Sequence, residues 1–293
     1  MRLLTWILGL ALACTSAVAD SPQQMASIGD LELSSGDTLL DARVGFRTTG
    51  TLNPDKSNVI VFLTWFTGTT GSLVKWEKIG PGKLADSDRF YVIAIDALGN
   101  GVSSSPSNSP QQAGKQFPRI SIADMVNSQY ALLTQHLGIS RAHAVMGISM
   151  GGMQTFRWMG QYPGFMNKAI AIDGSPAPTS YDLLQWRTHE TAILMMQEAG
   201  IENPDIMKFA STLSLLTLWT PGYFVEKITP DALPEFIADS TQDSGEGNAN
   251  DYLAQLRAMI SHDVYATDSP DETPYLERVR ADLLVIGTND DHM

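Results

Sequence analysis

The 293-residue sequence contains a single cysteine, Cys14. This cysteine lies in an amino-terminal stretch that we expect to be removed, so the mature chain is expected to have none. A chain without cysteine cannot form disulfide bonds, bind zinc through thiolates or use a cysteine nucleophile.

Basic residues are also scarce. The chain has 19 lysine and arginine residues against 32 aspartate and glutamate residues, which gives a formal net charge of −13. Arg2 is the only charged residue among residues 1–19, so their removal leaves 18 basic residues and a net charge of −14. Nucleic acids and anionic membrane surfaces select for basic patches. We therefore expect neither as a partner of the mature chain.

The apolar run Leu3–Ala13 is shorter than the roughly 20 residues that a membrane-spanning helix needs. It follows Arg2 and precedes Ala17-Val18-Ala19, which has the small-x-small pattern of a cleavage site. This pattern predicts a signal peptide and a secreted or periplasmic protein. Lipid attachment at Cys14 is an alternative, but Ala11 is a poor residue at the start of a lipoprotein cleavage site.

The stretch Gly147-Ile148-Ser149-Met150-Gly151 lies between a predicted strand at 142–146 and a predicted helix at 150–162. Gly-x-Ser-x-Gly in this context is typical of a nucleophile elbow, where a strained turn lifts a serine hydroxyl clear of a sheet. The helix N-terminus and the N–H of Met150 would stabilise an oxyanion that forms beside Ser149. The alternative is a Gly-Ser turn that only caps a helix.

Several continuous apolar runs predict strands that are buried on both faces. They are Asn58–Leu63, Phe90–Ile95, Lys168–Ile172 and Leu283–Ile286, and helices are predicted at 72–80, 121–137 and 150–162. Alternation of apolar and polar residues over 28–49 predicts an antiparallel hairpin ahead of them. Strand–helix alternation of this kind predicts an α/β fold with a mostly parallel, doubly wound sheet.

Residues 175–265 break this rhythm, because they are rich in helix-forming residues and methionine and contain no clear buried strand. Ligands bind beyond the carboxyl ends of the strands in such sheets, so an insertion at this point would form a cap over the site. We therefore expect a signal peptide at 1–19, a first part of the core at 20–174, a helical cap at 175–265 and a second part of the core at 266–293.

The loop Thr64–Gly71 follows a predicted strand and ends in a glycine-rich stretch. In a site of this kind the second oxyanion donor comes from such a loop. By position we assign this donor to the N–H of Phe66. The alternative is an ordinary strand-to-helix loop with aromatic packing.

An activated serine also needs a base, and an acid that orients the base. Asp290 and Asp291 follow the late strand Leu283–Ile286, and either could be the acid. The base normally follows the acid in this arrangement. His292 is too close to Asp291 in sequence to bridge it to Ser149.

The remaining histidines, His136, His143, His189 and His262, are interpreted as surface or helix-end residues. We therefore expect the catalytic histidine, with a final strand and helix, beyond residue 293. No cluster of potential ligands has the spacing of a metal site, so we predict neither a metal nor a cofactor.

With these residues in place, the sequence resembles the homoserine O-acetyltransferase branch of the α/β-hydrolase superfamily. The resemblance rests on residues 33–52, on the elbow with Trp158 and Tyr162-Pro163, on residues 248–259 and on the acid loop. The resemblance favours Asp291 over Asp290 as the acid. It also implies an α/β-hydrolase fold in which Ser149 is acylated and the N–H groups of Phe66 and Met150 form the oxyanion hole.

Two features differ from the acetyltransferases of that branch. The acetyltransferases carry an arginine soon after the strand that follows the elbow. In this chain residues 173–181 contain no arginine, and Arg187 is the nearest. A bidentate carboxylate clamp is therefore missing from this stretch. A signal peptide also points away from acetyl-CoA, which is a cytoplasmic substrate.

The sequence therefore predicts a serine acyl hydrolase of the carboxylesterase type that acts on a small-molecule acyl ester. The alternative is an acyltransferase that passes the acyl group to a hydroxyl or an amine. A catalytically inactive binding protein is a second alternative if the chain ends at residue 293. A homodimer is left open as the assembly.

Overall fold

The structure is a computed structural model that describes residues 21–266 and 273–288. The strands in these ranges are β1 Gln24–Glu32, β2 Thr38–Thr49, β3 Val59–Leu63, β4 Ile79–Gly80, β5 Ala85–Asp86, β6 Tyr91–Ile95, β7 Ala142–Ile148, β8 Met166–Ile172 and β9 Asp282–Ile286. The α-helices are α1 Thr70–Lys75, α2 Ile122–Ala131, α3 Met150–Gln161, α4 Ser180–Glu198, α5 Asn203–Leu218, α6 Pro221–Lys227, α7 Leu233–Thr241, α8 Ala249–Ile260 and α9 Tyr275–Arg278.

The main sheet has the strand order β1-β2-β6-β3-β7-β8-β9. The β1–β2 and β2–β6 pairs are antiparallel, and every neighbouring pair from β6 to β9 is parallel. The predicted α/β fold with a mostly parallel sheet is confirmed. Because parallel strands end at the same edge, the residues that follow β3, β7, β8 and β9 meet along one side of the sheet.

Helices cover both faces of the sheet at its centre. All five residues of β3 are buried. Val61 and its same-face neighbours pack in one cluster with side chains of α2 and α3, whereas Ile60 and Phe62 pack on the other face with Leu73 of α1. This two-sided burial explains why β3 reads as a continuous apolar run.

The helices α4 to α8 lie between β8 and β9 in the chain and form the helical part of the structure. Three of them, α4, α5 and α8, share a cluster of buried side chains. The chain segments that lead into and out of this helical part are joined, since the N–H of Val264 donates to the carbonyl oxygen of Pro176 over 3.0 Å. Met259 of α8 also packs in one cluster with Met150 and Met153 of α3. Helix α8 therefore links the helical part to the helix that follows Ser149.

Two predicted elements differ from the structure. The helix predicted at 72–80 ends at Lys75, because Glu77 adopts a φ of 52° and Ile79–Gly80 pairs with Ala85–Asp86. The predicted strand Leu283–Ile286 is present, but all five residues of β9 are exposed. Within the described residues β9 pairs only with β8. No helix among these residues has the length and hydropathy to cross a bilayer.

Candidate active site

Ser149 joins the end of β7 to the start of α3 in a strained backbone conformation. Its φ of 55° and ψ of −121° lie outside the regions that side-chain-bearing residues normally occupy. The N–H of Ser149 donates to the carbonyl oxygen of Ile172 over 2.8 Å, and its carbonyl oxygen accepts from the N–H of Met153 over 3.1 Å. Strain of this kind persists where neighbouring structure enforces it, and it is common at functional sites.

The glycines of the motif allow the backbones around Ser149 to approach closely. A Cβ atom on Gly147 would lie 2.2 Å from the carbonyl oxygen of Gly151, and one on Gly151 would lie 2.5 Å from the carbonyl oxygen of Leu63. A Cβ atom on Gly152 would lie 2.9 Å from the Cα of Gly174. These distances are too short for any side chain, so the pattern of glycines follows from packing against β3 and the end of β8.

The loop of residues 64–69, here called the oxyanion loop, begins beside the elbow. Leu63 pairs with Gly147 in the parallel register of β3 and β7, so Phe66 and Met150 leave the sheet at the same edge. Met150 is the first residue of α3, where N–H groups have no acceptor within the helix. Among the described residues, no hydrogen-bond acceptor is recorded for the N–H of Phe66. Both predicted donors are therefore positioned at the edge where Ser149 lies.

Buried amides hold the start of the oxyanion loop against α3. Gln154 donates to the carbonyl oxygens of Thr64, over 3.0 Å, and Met150, over 3.1 Å. Gln129 donates to the amide oxygen of Gln154 over 2.6 Å and accepts from the indole N–H of Trp158 over 2.8 Å. Gln129, Gln154 and Trp158 are all fully buried. Their hydrogen bonds fix the distance between the two predicted donor segments.

The far end of the oxyanion loop is held by Asp96, a fully buried residue directly after β6. Its carboxylate accepts hydrogen bonds from the Thr70 N–H over 2.8 Å and from the Thr70 hydroxyl over 2.9 Å. It also accepts from the side-chain amides of Gln23, over 2.9 Å, and Asn100, over 3.0 Å. Asn100 donates in addition to the carbonyl oxygen of Gly68 over 3.0 Å. Sequence reasoning missed Asp96, although an acidic residue directly after a buried strand was a signal for it.

Asp173 is a second carboxylate that sequence reasoning did not select. It follows β8 with a φ of 45°, and its N–H donates to the carbonyl oxygen of Ile286 over 2.7 Å. Its Oδ1 lies 3.9 Å from the position of a Cβ atom on Gly287. The carboxyl ends of β8 and β9 are therefore held together at the edge where Ser149 lies.

The predicted acid, Asp291, lies outside the described residues, as do Asp290 and His292. Ile286 pairs with Ile172 at the end of β9, so the chain leaves the sheet there at the same edge as the elbow. The assignment of Asp291 therefore stays a prediction.

The interpretation of the histidines is right for His136, which is exposed at the end of a helical turn. It is wrong for His189, which is buried in the middle of α4, where burial lowers its pKa. His262 follows α8 but is also buried, at 4% exposure. Burial and the nearby charge of Arg157 lower the pKa of His262 to about 4. Sequence reasoning missed this burial because packing of the helical part on the sheet is a long-range feature.

Comparison with known proteins gives consistent matches. Residues 59–293 match the family described as alpha/beta hydrolase fold. A probable esterase from Corynebacterium glutamicum is 37% identical over 175 residues, which cover 59% of this chain and 50% of that protein. Ethyl acetate hydrolase from Pseudomonas veronii is 37% identical over 164 residues, which cover 56% of this chain and 47% of that protein. The chain thus spans about half the length of these curated relatives.

A transferase is also among the relatives. Homoserine O-acetyltransferase from Methanohalophilus mahii is 41% identical over 156 residues, which cover 48% of this chain and 32% of that protein. Among solved structures, an acetylester hydrolase from Corynebacterium glutamicum superposes with a TM-score of 0.84 at 27% identity. That superposition covers 92% of this chain and 81% of the other.

Proposed function

Because the chain belongs to the alpha/beta hydrolase fold family, we propose that it is a serine ester hydrolase whose nucleophile is Ser149. Family membership agrees with the resemblance to the homoserine O-acetyltransferase branch, and relatives with esterase and acetyltransferase names support that resemblance. The observation that carries the proposal is the strained backbone of Ser149 at the strand–helix junction. A serine that only capped a helix would have ordinary extended dihedral angles.

In the proposed reaction the hydroxyl of Ser149 attacks the ester carbonyl carbon and loses its proton to a base. The N–H groups of Phe66 and Met150 donate to the oxyanion of the tetrahedral intermediate. The C–O bond to the alcohol then breaks, and the alcohol leaves with the proton that the base returns. Water then loses a proton to the base and attacks the acyl carbon, and the bond from that carbon to Oγ of Ser149 breaks as the base returns the proton to Oγ, which releases the acid. Asp291 is the proposed acid, and the base is a histidine proposed to follow residue 293.

The test combines turnover with covalent labelling of the full-length protein. Wild type should hydrolyse a nitrophenyl acetate and react with a fluorophosphonate probe, and Ser149→Ala should do neither. Undiminished turnover by Ser149→Ala would contradict the proposal. Ligand binding without turnover in both proteins would instead favour an inactive binding protein.

Acyl transfer is the second candidate, and the 41% identity to an acetyltransferase favours it. The residues after β8 speak against an amino-acid acceptor, since residues 173–181 contain no arginine and Arg187 is exposed. Hydrolysis of short acyl esters without an added acceptor supports the hydrolase. Activity that depends on acetyl-CoA together with homoserine would support the transferase.

Secretion and self-association are further parts of the proposal. The signal peptide at residues 1–19 would deliver the enzyme to the periplasm or beyond, and mass spectrometry of the secreted protein would identify its first residue. The helical part exposes apolar side chains, with Leu216 at 67%, Leu218 at 56% and Val225 at 86% exposure. Such side chains suit a homodimer, which light scattering after gel filtration would detect.

A further inference from the structure

Helix α8 crosses from the helical part to the oxyanion loop. It contacts two successive residues of that loop, Phe66 and Thr67. The ring of Tyr252 meets the ring of Phe66 edge to face, with centroids 4.6 Å apart. The side-chain oxygen of Gln255 accepts a hydrogen bond from the N–H of Thr67 over 2.8 Å. Tyr252 and Gln255 are three residues apart, so they lie on the same face of the helix. One face of α8 therefore holds the side chain of Phe66 and the backbone of its neighbour.

Gln255 is fully buried, and both ends of its amide are hydrogen-bonded to main chain. The oxygen accepts from Thr67, and the nitrogen donates to the carbonyl oxygen of Leu98 over 3.0 Å. Leu98 lies in the loop after β6, so a single side chain ties together the loops after β3 and β6. A glutamine amide supplies the donor and the acceptor of this pair of bonds without a charge.

The bond to Thr67 is made where the oxyanion loop is strained. Thr67 has a φ of 59°, which is a rare conformation for a β-branched residue. Fixing the N–H of Thr67 fixes the peptide plane between Phe66 and Thr67, and this limits how far the Phe66 backbone can rotate. Without that hydrogen bond the loop would be free to relax, and the direction of the Phe66 N–H, one peptide unit earlier, would be free to change with it.

Tyr252, on which the ring of Phe66 packs, is itself anchored by a hydrogen bond. The hydroxyl of Tyr252 lies 2.7 Å from Nδ1 of His189 on α4, and both residues are buried. Burial raises the pKa of Tyr252 to about 12. The contact surface of Phe66 is therefore itself anchored within the helical part.

We propose that Gln255 is a positioning residue for the oxyanion hole, through which the helical part of the chain sets the direction of the Phe66 N–H. This role rests on the proposed function, in which that N–H donates to the oxyanion. It makes a residue of α8, far from the elbow in sequence, a determinant of the rate of the chemical step.

The experiment measures steady-state hydrolysis of one acyl ester and inhibition by an alkylboronic acid in the full-length protein. The boronic acid forms a tetrahedral adduct with serine whose oxygen occupies the oxyanion hole. The variants are Gln255→Met, which removes both hydrogen bonds at similar volume, and Gln255→Glu, which keeps an acceptor for Thr67. Gln197→Met is the matched control, because Gln197 joins α4 to Asn250 of α8 and is not recorded as bonded to the oxyanion loop.

We expect Gln255→Met to lower kcat by ~10-fold or more with KM changed by less than ~3-fold, since a misdirected oxyanion donor acts mainly on the transition state. Inhibition by the boronic acid should weaken by a similar factor. Gln255→Glu should recover part of kcat, and Gln197→Met should match wild type. Should Gln255→Met fail to fold, Gln255→Asn gives the same test, because its shorter side chain cannot span both loops.

A purely structural role would lower Tm while leaving kcat and boronic acid inhibition unchanged below Tm, and that result would overturn the proposal. Ser149→Ala separates this failure from failure of the proposed function. If Ser149→Ala abolishes turnover and Gln255→Met does not lower kcat, only the positioning role is wrong. If Ser149→Ala retains turnover, the proposed function itself is wrong.

Discussion

The buried carboxylate of Asp96 accepts two hydrogen bonds from Thr70, one from the main-chain N–H and one from the hydroxyl. Thr70 is the first residue of α1 and directly follows the oxyanion loop. The side chains of Gln23 and Asn100 complete the set of donors around Asp96. The carboxylate thus holds three chain segments together behind the loop that carries Phe66.

Asp96→Asn should lower both stability and kcat. The new amide NH2 group replaces one acceptor oxygen and faces donors, so at least one buried donor loses its partner. We expect a loss of about 2 kcal/mol in the free energy of unfolding, measured by urea denaturation. Asp88→Asn is the matched control at an exposed position, and it should change stability by less than about 0.5 kcal/mol. Equal stability of the two variants would show that Asp96 is not an anchor of the loop.

Gly151→Ala should destabilise the protein because the new methyl group would meet backbone that cannot move away. Its Cβ atom would lie 2.5 Å from the carbonyl oxygen of Leu63 and 3.2 Å from that of Thr64. We expect a loss of about 2 kcal/mol or more from overpacking, with reduced turnover because α3 and the oxyanion loop are pushed apart.

The same substitution at Gly164 provides the control for Gly151→Ala. Gly164 is exposed, and a Cβ atom there has nothing within 4 Å. Gly164→Ala should therefore stay within about 0.5 kcal/mol of wild type in urea denaturation. A similarly small effect at Gly151 would mean that the backbone at the elbow is not as tightly packed as these distances indicate.

The fold and the strained elbow at Ser149 are predictable from local patterns in the sequence. Buried parallel strands such as β3 give continuous apolar runs, because neither face meets water. The elbow is recognisable because close packing around Ser149 restricts Gly147 and Gly151 to glycine. Both signals lie within a few residues of the feature that they report.

Asp96 had a local signal in the strand before it, but the glutamine anchors of the oxyanion loop could not be predicted, because they join distant parts of the chain. The hydrogen bond from Thr67 to Gln255 spans 188 residues, and that from Gln154 to Thr64 spans 90. A buried glutamine has no local pattern that separates it from one on the surface. The exposure of β9 among the described residues is likewise not visible in its own sequence, since an apolar run reports a preference for burial and not the position of the chain that would cover it.

His262 connects stability to pH through its burial. Its pKa is lowered to about 4 by burial and by the charge of Arg157, while hydrogen bonding to the backbone of Ser175 and the charge of Asp263 oppose the shift. Its Nε2 is buried without a hydrogen-bond partner among the described residues. The folded state therefore favours the neutral form of the imidazole over the charged form.

The sign of the pH effect follows from the two protonation equilibria. Between about pH 6.5 and pH 4 the unfolded chain holds a proton on His262 that the folded chain does not, so the free energy of unfolding falls as the pH falls. The full difference is roughly 3 kcal/mol. His262→Gln should reduce the loss of stability between pH 7.5 and pH 5 in urea denaturation, and His136→Gln, at an exposed histidine, should not. If the free energy of unfolding of His262→Gln depended on pH as it does in wild type, protonation of His262 would not be a cause of the loss of stability in acid.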